Sequence, residues 1–314
     1  ALRSRGLRNV FFVDDNLIGH RAVAKDLLRF LRDYQERHGY RFDFGTEASL
    51  NLAQDRELLT LFREANFTWV FIGIESPDPE TLRATRKTQN IHEDVLTSVR
   101  RIYAHGLDIL AGFIVGFDTD TTATFDHQLR FIRNAGIQVA MVGLLTALPK
   151  TPLHERLRKE GRLLAGAAAD NTKVGTNVVP KRMSYEDMVK GYVRLYRRLT
   201  SDRLIADRVR SKMRFLRDPV YGGEYTLRER WLVLWNLLVK GLLPGGPLRL
   251  YHFARSLPWL APSRLPLAIV DWTAGLSMRR SVDRHLSPRR PRENAVAAPS
   301  FAAKKSARFS WSRS

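Results

Sequence analysis

The chain has 314 residues, 44% of them apolar, enough for one barrel-sized domain or for a domain with an extension. It holds no cysteine, which excludes disulfides, thiolate metal sites and a cysteine nucleophile within these residues. The net charge of +20 is uneven: residues 1–160 carry 22 Lys and Arg against 21 Asp and Glu, and residues 161–314 carry 30 against 11. A field of that sign attracts nucleic acid, anionic lipid or an acidic partner, and a solvated Arg-rich surface accounts for it equally well. The sequence opens on Ala1-Leu2-Arg3-Ser4-Arg5-Gly6-Leu7, a helix-like stretch without a cap, which leads us to expect a fragment whose N-terminal part is absent. No signal peptide is visible, and a fragment would not be expected to show one.

The first element is a buried-type strand, Asn9–Val13, followed by Asp14, Asp15 and Asn16. His20–His38 has helical spacing through Val23, Leu27, Leu28, Phe30, Leu31 and Tyr34. A strand over Tyr40–Leu50, a helix over Asp55–Ala65 and a strand over Thr68–Glu75 follow. Pro77 and Pro79 mark a loop, Glu93–His105 reads as a helix that Gly106 closes, and Leu107–Phe117 as the fourth strand. Thr122–Ala135 is helical up to Gly136, Ile137–Leu145 is the fifth strand, and Thr146–Pro152 is a proline-bounded loop. The repeat of about 30 residues is that of βαβ units, and the continuous apolar strands suit parallel strands covered on both faces. The fold class expected is α/β, a partial TIM-like barrel.

Beyond Leu153 the periodicity changes. Residues 161–182 read as an irregular crossing segment, and Ser184–Thr200 as a helix with Ser184, Glu186 and Asp187 at its start. Arg230–Leu243 is very apolar but too short to span a bilayer, and Tyr251–Leu276 is a second Trp-bearing stretch interrupted by prolines. From residue 286 onward the composition of Pro, Ser, Ala, Arg and Lys predicts a disordered basic tail. Three parts are therefore expected: a barrel over 1–160, a helical extension over 161–285 and the tail over 286–314.

Polar groups at successive strand ends of such a barrel converge on one pocket. Asp14 and Asp15 suit an ammonium group, Glu47 and Glu75 suit ribose hydroxyls or a second cation, and Gly112 and Gly116 permit close approach of a flat ring. Each alone is an ordinary surface carboxylate or helix cap; four strand ends in succession make that account weaker. A metal-dependent barrel hydrolase fits less well, because His20, His38, His92 and His105 fall on helices or their ends.

The run Val10-Phe11-Phe12-Val13-Asp14-Asp15-Asn16-Leu17-Ile18-Gly19 resembles the second strand of cobalamin-binding-domain radical S-adenosylmethionine proteins. Gly73-Ile74-Glu75-Ser76-Pro77, with the following Thr81–Asn90, is similar to the same family, as is Gly112-Phe113-Ile114-Val115-Gly116-Phe117-Asp118 to its Gly-x-Ile-x-Gly strand beside adenine. Asn177–Ser184 and the helix after it resemble the extension of the hopanoid-methylase-like branch. The likeness covers about residues 1–215. It implies a partial (β/α)6 barrel, S-adenosylmethionine and a [4Fe–4S] cluster held by a Cys-x-x-x-Cys-x-x-Cys loop. Cobalamin follows by family analogy alone. By this resemblance Asp14, Asp15 and Asn16 lie near the methionine amino group, Glu47 and Glu75 near the methionine moiety or ribose, and Ile114 and Gly116 beside adenine. The sequence departs from the pattern in lacking the cysteine loop, so it is expected to be a fragment of a larger enzyme or a degenerate homologue.

The leading expectation is a cobalamin-dependent radical enzyme, a methyltransferase on a small or lipid-like substrate. It would be supplied with electrons by a carrier such as flavodoxin or ferredoxin, and would be cytoplasmic with peripheral contact to the inner membrane through the Trp-rich segments. For those segments, helices packed on the barrel are the ordinary alternative. An RNA-modifying or nucleic-acid-binding protein using the basic half is the competing class, disfavoured because no recognisable RNA-binding module is present. A non-catalytic barrel scaffold is the third.

Overall fold

The computed structural model describes residues 1–84, 94–164, 175–218 and 226–286. Five strands, β1 (Asn9–Phe12), β2 (Asp43–Glu47), β3 (Phe67–Glu75), β4 (Asp108–Val115) and β5 (Val139–Leu144), form one sheet in the order β1-β2-β3-β4-β5. All four pairings are parallel. Between the strands run α1 (Arg21–His38), α2 (Arg56–Glu64), α3 (Pro79–Ala84), α4 (Val95–Ala104) and α5 (Thr124–Ala135). The five strands and four of these helices sit where hydrophobic spacing places them. The short α3 lies where the prolines indicated a loop, its first residue being Pro79.

Local chemistry fixes the helix ends. His20 Nδ1, Asp55 Oδ1 and Asp94 Oδ2 accept from the N–H groups of Val23, Leu58 and Thr97, capping α1, α2 and α4. Gly39 and Gly136 end α1 and α5 in the left-handed conformation. At Gly136 the constraint is double, because a Cβ there would lie 2.5 Å from the Lys212 backbone nitrogen.

Two helices escape the sequence reading. Residues 152–159, at and beyond the loop expected to end at Pro152 and given no element of their own, form α6 (Pro152–Lys159), capped by Thr151 with Pro152 in its first turn. The cap and proline were visible, but Leu153 and Leu157 among charged residues give too little apolar periodicity. After α7 (Tyr185–Leu199) comes α8 (Asp202–Met213), whose apolar pattern is interrupted by buried Arg208 and Lys212. Then follow α9 (Leu227–Asn236), which passes into a π-helical turn over Leu237–Leu242, α10 (Gly246–Ser256) and α11 (Leu265–Leu286). The crossing segment is described on both sides of 165–174, where Leu163 bridges Val178 antiparallel and Asn177 exchanges two hydrogen bonds with Ala147. The basic tail expected from residue 286 lies, after Leu286, outside the described residues.

Two cores result. The larger runs from Ile18 through Leu144 and takes in Met188, Leu195 and Leu199 of α7. The smaller joins Ile205 and Val209 of α8 to Leu237, Leu242, Trp272 and Leu276. What connects the C-terminal helices to the N-terminal edge of the sheet is a buried charge cluster. Lys212 Nζ donates to both oxygens of Asp108, at the start of β4, at 2.8 Å, and to Asp271 Oδ1 of α11 at 2.6 Å. Burial alone would lower the Lys212 ammonium, but Asp108 and Asp271 outweigh it and hold it above its ordinary value. Burial pushes Asp271 up to about 6 against the pull of Lys212, and draws the neighbouring Arg208 guanidinium down to about 10.

Removing one member of such a cluster leaves an uncompensated buried charge. Lys212→Met is expected to destabilise the fold by about 3–5 kcal/mol, read as a fall in the urea midpoint. The exposed pair Lys190–Glu186 on α7 serves as control, and Lys190→Met should leave the midpoint nearly unchanged.

Candidate functional site at the C-terminal edge of the sheet

Strands that follow one another in space with right-handed crossovers place every connecting helix on the same face. The other face is left open, and alternate residues record it. In β4, Ile109, Ala111, Phe113 and Val115 are buried while Asp108, Leu110, Gly112 and Ile114 are half-exposed. Phe11 and Met141 of the same face are exposed. The floor of this face, toward the strand starts, is aromatic. Phe11 and Trp69 stack with ring centroids 5.3 Å apart and planes 8° from parallel, and the Trp69 indole lies over Gly45, where a Cβ would come within 2.1 Å of the ring. Toward the strand ends the face has open space at one glycine, Gly143, whereas the Phe71 ring stands 3.1 Å from where a Cβ at Gly112 would lie. Ile114 pairs with Gly143, and a Cβ at Gly143 would meet only the Phe113 carbonyl oxygen, at 3.9 Å.

The predicted site residues all lie at the C-terminal ends of adjacent strands, in unequal roles. Asp14 and Asp15 are exposed just past β1, and Asp14 Oδ1 accepts from the Asn16 N–H at 2.8 Å. Asn16 Oδ1 accepts from the N–H and hydroxyl of Ser49 at 3.0 and 3.2 Å, so its carbonyl end ties the loop after β1 to the loop after β2. The Leu17 N–H donates to the Glu47 carbonyl at 3.0 Å and strengthens that tie. Glu47 is half-buried at the end of β2, level with Phe71 of β3.

Glu75 ends β3 with φ of +65°, at a register irregularity between Gly73 and Glu75. The Ser76 N–H donates back to the Ile74 carbonyl at 2.8 Å, closing a tight three-residue turn around Glu75. A non-glycine residue held in that region carries on the order of 1–3 kcal/mol of strain, and such residues concentrate at binding sites. Beyond the turn, Ser76 Oγ accepts from Asp78, Asp78 caps α3 through Thr81, and the Thr81 and Thr119 hydroxyls are 2.7 Å apart, joining the loops after β3 and β4.

Gly116 follows β4 at φ of +110°, a conformation open to glycine, and a Cβ there would press on Met188 Sδ at 3.1 Å. Its N–H and that of Phe117 both donate to one oxygen of Asp120, at 2.8 and 3.1 Å. Asp120 is buried, and burial pushes its carboxyl up to about 6 in spite of those two donors, with the nearby Asp78 charge adding to the rise. The sequence reading passed over Asp120 and Gly143. An isolated glycine within a strand was the available signal for the second, and for the first a carboxylate four residues past a strand-end glycine.

The edge thus gathers Asp14, Asp15, Glu47, Glu75, Asp78 and Asp120, while the buried cations Arg208 and Lys212 belong to the opposite edge. Acidic side chains beside a backbone left open at Gly143 suit a ligand that combines a cationic group, hydroxyls and a flat ring. Among the described residues no group of three His, Asp or Glu side chains is placed to hold a metal ion.

Because the folded Asp120 carboxyl titrates near 6 and an unfolded one near 4, its stabilising contribution is complete below about pH 4 and is lost as pH rises through about 6. Asp120→Asn keeps an oxygen for both N–H groups and removes the charge. It should match the wild type at pH 4 and exceed its stability at pH 7.5 by on the order of 2 kcal/mol, measured by urea unfolding at both pH values. Asp271 titrates in the same window and cancels in the difference between the two proteins.

Comparison with known proteins divides the chain in two. Residues 1–132 match the radical SAM superfamily model, and residues 151–274 match a domain of unknown function, DUF4070. The chain is 46% identical over 160 residues to the hopanoid C-2 methylase of Rhodopseudomonas palustris (strain TIE-1), covering 51% of this chain and 30% of that protein. It is 42% identical over 190 residues to an uncharacterized methyltransferase of Synechocystis sp., covering 60% of this chain and 35% of the relative. The chain therefore spans about a third of the length of these curated relatives. Among solved structures it is similar to the radical S-adenosylmethionine methyltransferase TsrM of Kitasatospora setae with cobalamin and a [4Fe-4S] cluster bound, at a TM-score of 0.47 and 19% identity over 57% of this chain and 36% of that one. Residues 1–132 are thus similar to the radical SAM superfamily, and about half of the chain is similar in sequence to hopanoid C-2 methylase.

Proposed function

We propose that this chain binds S-adenosylmethionine at the C-terminal edge of its sheet and contributes that site to a radical methyltransferase acting on a small, lipid-like molecule. The observation that carries the reading is the open space over Gly143, which pairs with Ile114, together with the strained Glu75 turn at the end of β3 beside β4. Asp14 and Asp15 receive the methionine ammonium, and Glu47 and Glu75 accept from the ribose hydroxyls or the methionine moiety. Ile114 and Gly143 seat the adenine, and Asp120 keeps Gly116 in the conformation that shapes the rim. Residues 1–160 are the barrel part and 161–285 the extension.

S-adenosylmethionine supplies the transferable methyl group when bound; these side chains orient it and keep water from it. Radical chemistry in this superfamily also requires a [4Fe–4S] cluster. None of the 314 residues is a cysteine, so this chain supplies no thiolate to it and we assign it no step. The same holds for cobalamin, to which we assign no residue. A net charge of +20 suits an acidic electron carrier of the flavodoxin or ferredoxin kind. Among the described residues no helix is long and apolar enough to cross a membrane, and we place the protein in the cytoplasm with peripheral contact to lipid.

The test is equilibrium dialysis of S-adenosylmethionine against the full chain and Gly143→Val. Valine suits a strand and has room at the backbone, so the variant should fold with an unchanged circular dichroism spectrum while filling the open space. Affinity is expected to fall by at least about tenfold, since a blocked ring forfeits its buried contact. Wild-type chain that retains no S-adenosylmethionine, or a valine variant that binds it equally well, would sink the reading.

A further inference from the structure

α9 buries none of its residues. Its consecutive residues Trp231, Leu232, Val233, Leu234 and Trp235 are 71%, 58%, 46%, 41% and 62% exposed. At 100° per residue, five in a row pass around the whole circumference of a helix. A protein partner covers one stripe of a helix, whereas a helix that is apolar on all sides is matched by a medium that surrounds it. The Trp-rich part further along the chain behaves differently. Trp272 and Leu276 of α11 are core residues, while Trp259 and Leu260 in the turn before α11 are 65% and 102% exposed, and Tyr251 of α10 and Val270 of α11 are single exposed positions at 61% each. The apolar character of α11 is thus explained by packing, and that of α9 is not.

Charge identifies the medium. In the C-terminal layer the carboxylates Asp202, Asp207 and Asp218 are held by Arg249, Arg255, Arg264 and Arg279. Arg228 at the start of α9, Lys240 at its end, and Arg280 and Arg284 of α11 are exposed, and Arg280 donates to the Lys240 carbonyl, so two of these cations adjoin one another. Tryptophans with flanking cations at both ends of a short helix match the boundary between acyl chains and anionic head groups.

We propose that α9 and the π-helical turn after it are a lipid-insertion element that seats the protein on an anionic bilayer. Trp231, Trp235 and Leu238 enter the acyl boundary, and Arg228, Lys240 and Arg280 remain at phosphate level. The element is too short to span the membrane and anchors from one side. It gives the peripheral contact of the preceding reading, on which it rests, a defined surface.

The absence of cysteine makes the test direct, because one introduced thiol takes all of a maleimide label. Leu232→Cys on α9 and Phe30→Cys on the exposed side of α1 are labelled with an environment-sensitive nitrobenzoxadiazole dye in the full chain. They are mixed with vesicles of phosphatidylcholine and phosphatidylglycerol, or of phosphatidylcholine alone. The dye at 232 should brighten about twofold or more with the anionic vesicles, and the dye at 30 should not change. Trp231→Glu/Trp235→Glu, neither residue being packed, should retain the wild-type unfolding midpoint and lose more than about tenfold in vesicle affinity. A silent dye at 232 in the presence of bound vesicles overturns the proposal. So does the absence of vesicle binding with a sedimentation dimer that the double variant dissolves, which would make α9 a contact between two copies. S-adenosylmethionine dialysis on the same proteins separates failure of this surface from failure of the binding site.

Discussion

Everything in the N-terminal half depends on the direction in which the sheet is wound. Each strand lies beside its predecessor in sequence, and right-handed crossovers then leave the helices no choice of face. One side of every strand becomes core, and the other becomes a concave surface that no element of the sheet covers. A doubly wound sheet of the same strands would bury both faces and offer a ligand only a crevice at the point of reversal. Single winding instead exposes the whole face and gathers the strand-end loops along one rim, where the acidic residues stand.

The two edges of this sheet divide labour. At the C-terminal edge the backbone is strained or glycine-dependent, the loops are laced to one another by Asn16–Ser49 and Thr81–Thr119, and carboxylates collect. At the N-terminal edge Lys212 is closed between Asp108 and Asp271 and serves as a tie between sheet, α8 and α11. Barrel proteins commonly keep chemistry at the first edge and stability at the second. The physical reason is compatibility: a rigid ionic tie tolerates burial at full occupancy by its own partners, while a binding rim needs polar groups with capacity left for a ligand.

The electrostatic asymmetry between the halves follows the same division. The barrel half is close to neutral, and its acidic rim can attract a cationic ligand without opposing a large surrounding field. The C-terminal half concentrates the positive charge, part of it consumed in ion pairs within the helical layer and part of it left around α9. The two matched families leave 133–150 between them, from the last turn of α5 to just before α6, close to the same place.

The sequence by itself determined the five strands and four of the helices of the N-terminal half, because parallel strands buried on one face by helices are strongly apolar and the intervening helices have clear caps at Asp55, Asp94 and Gly136. It also determined which strand ends are acidic, since that needs only the order of residues. What it could not determine was which polar groups serve the fold. Asn16 reads as a ligand-binding residue but spends its carbonyl on Ser49, while Asp120, Asp108 and Lys212 stand out in no sequence pattern and are structural partners. The apolar stretches 231–243 and 251–276 look alike in one dimension. Only the tertiary structure sends Trp272 into a core and leaves Trp231 exposed, because burial depends on what another segment brings to the same place, and a local pattern does not contain that information.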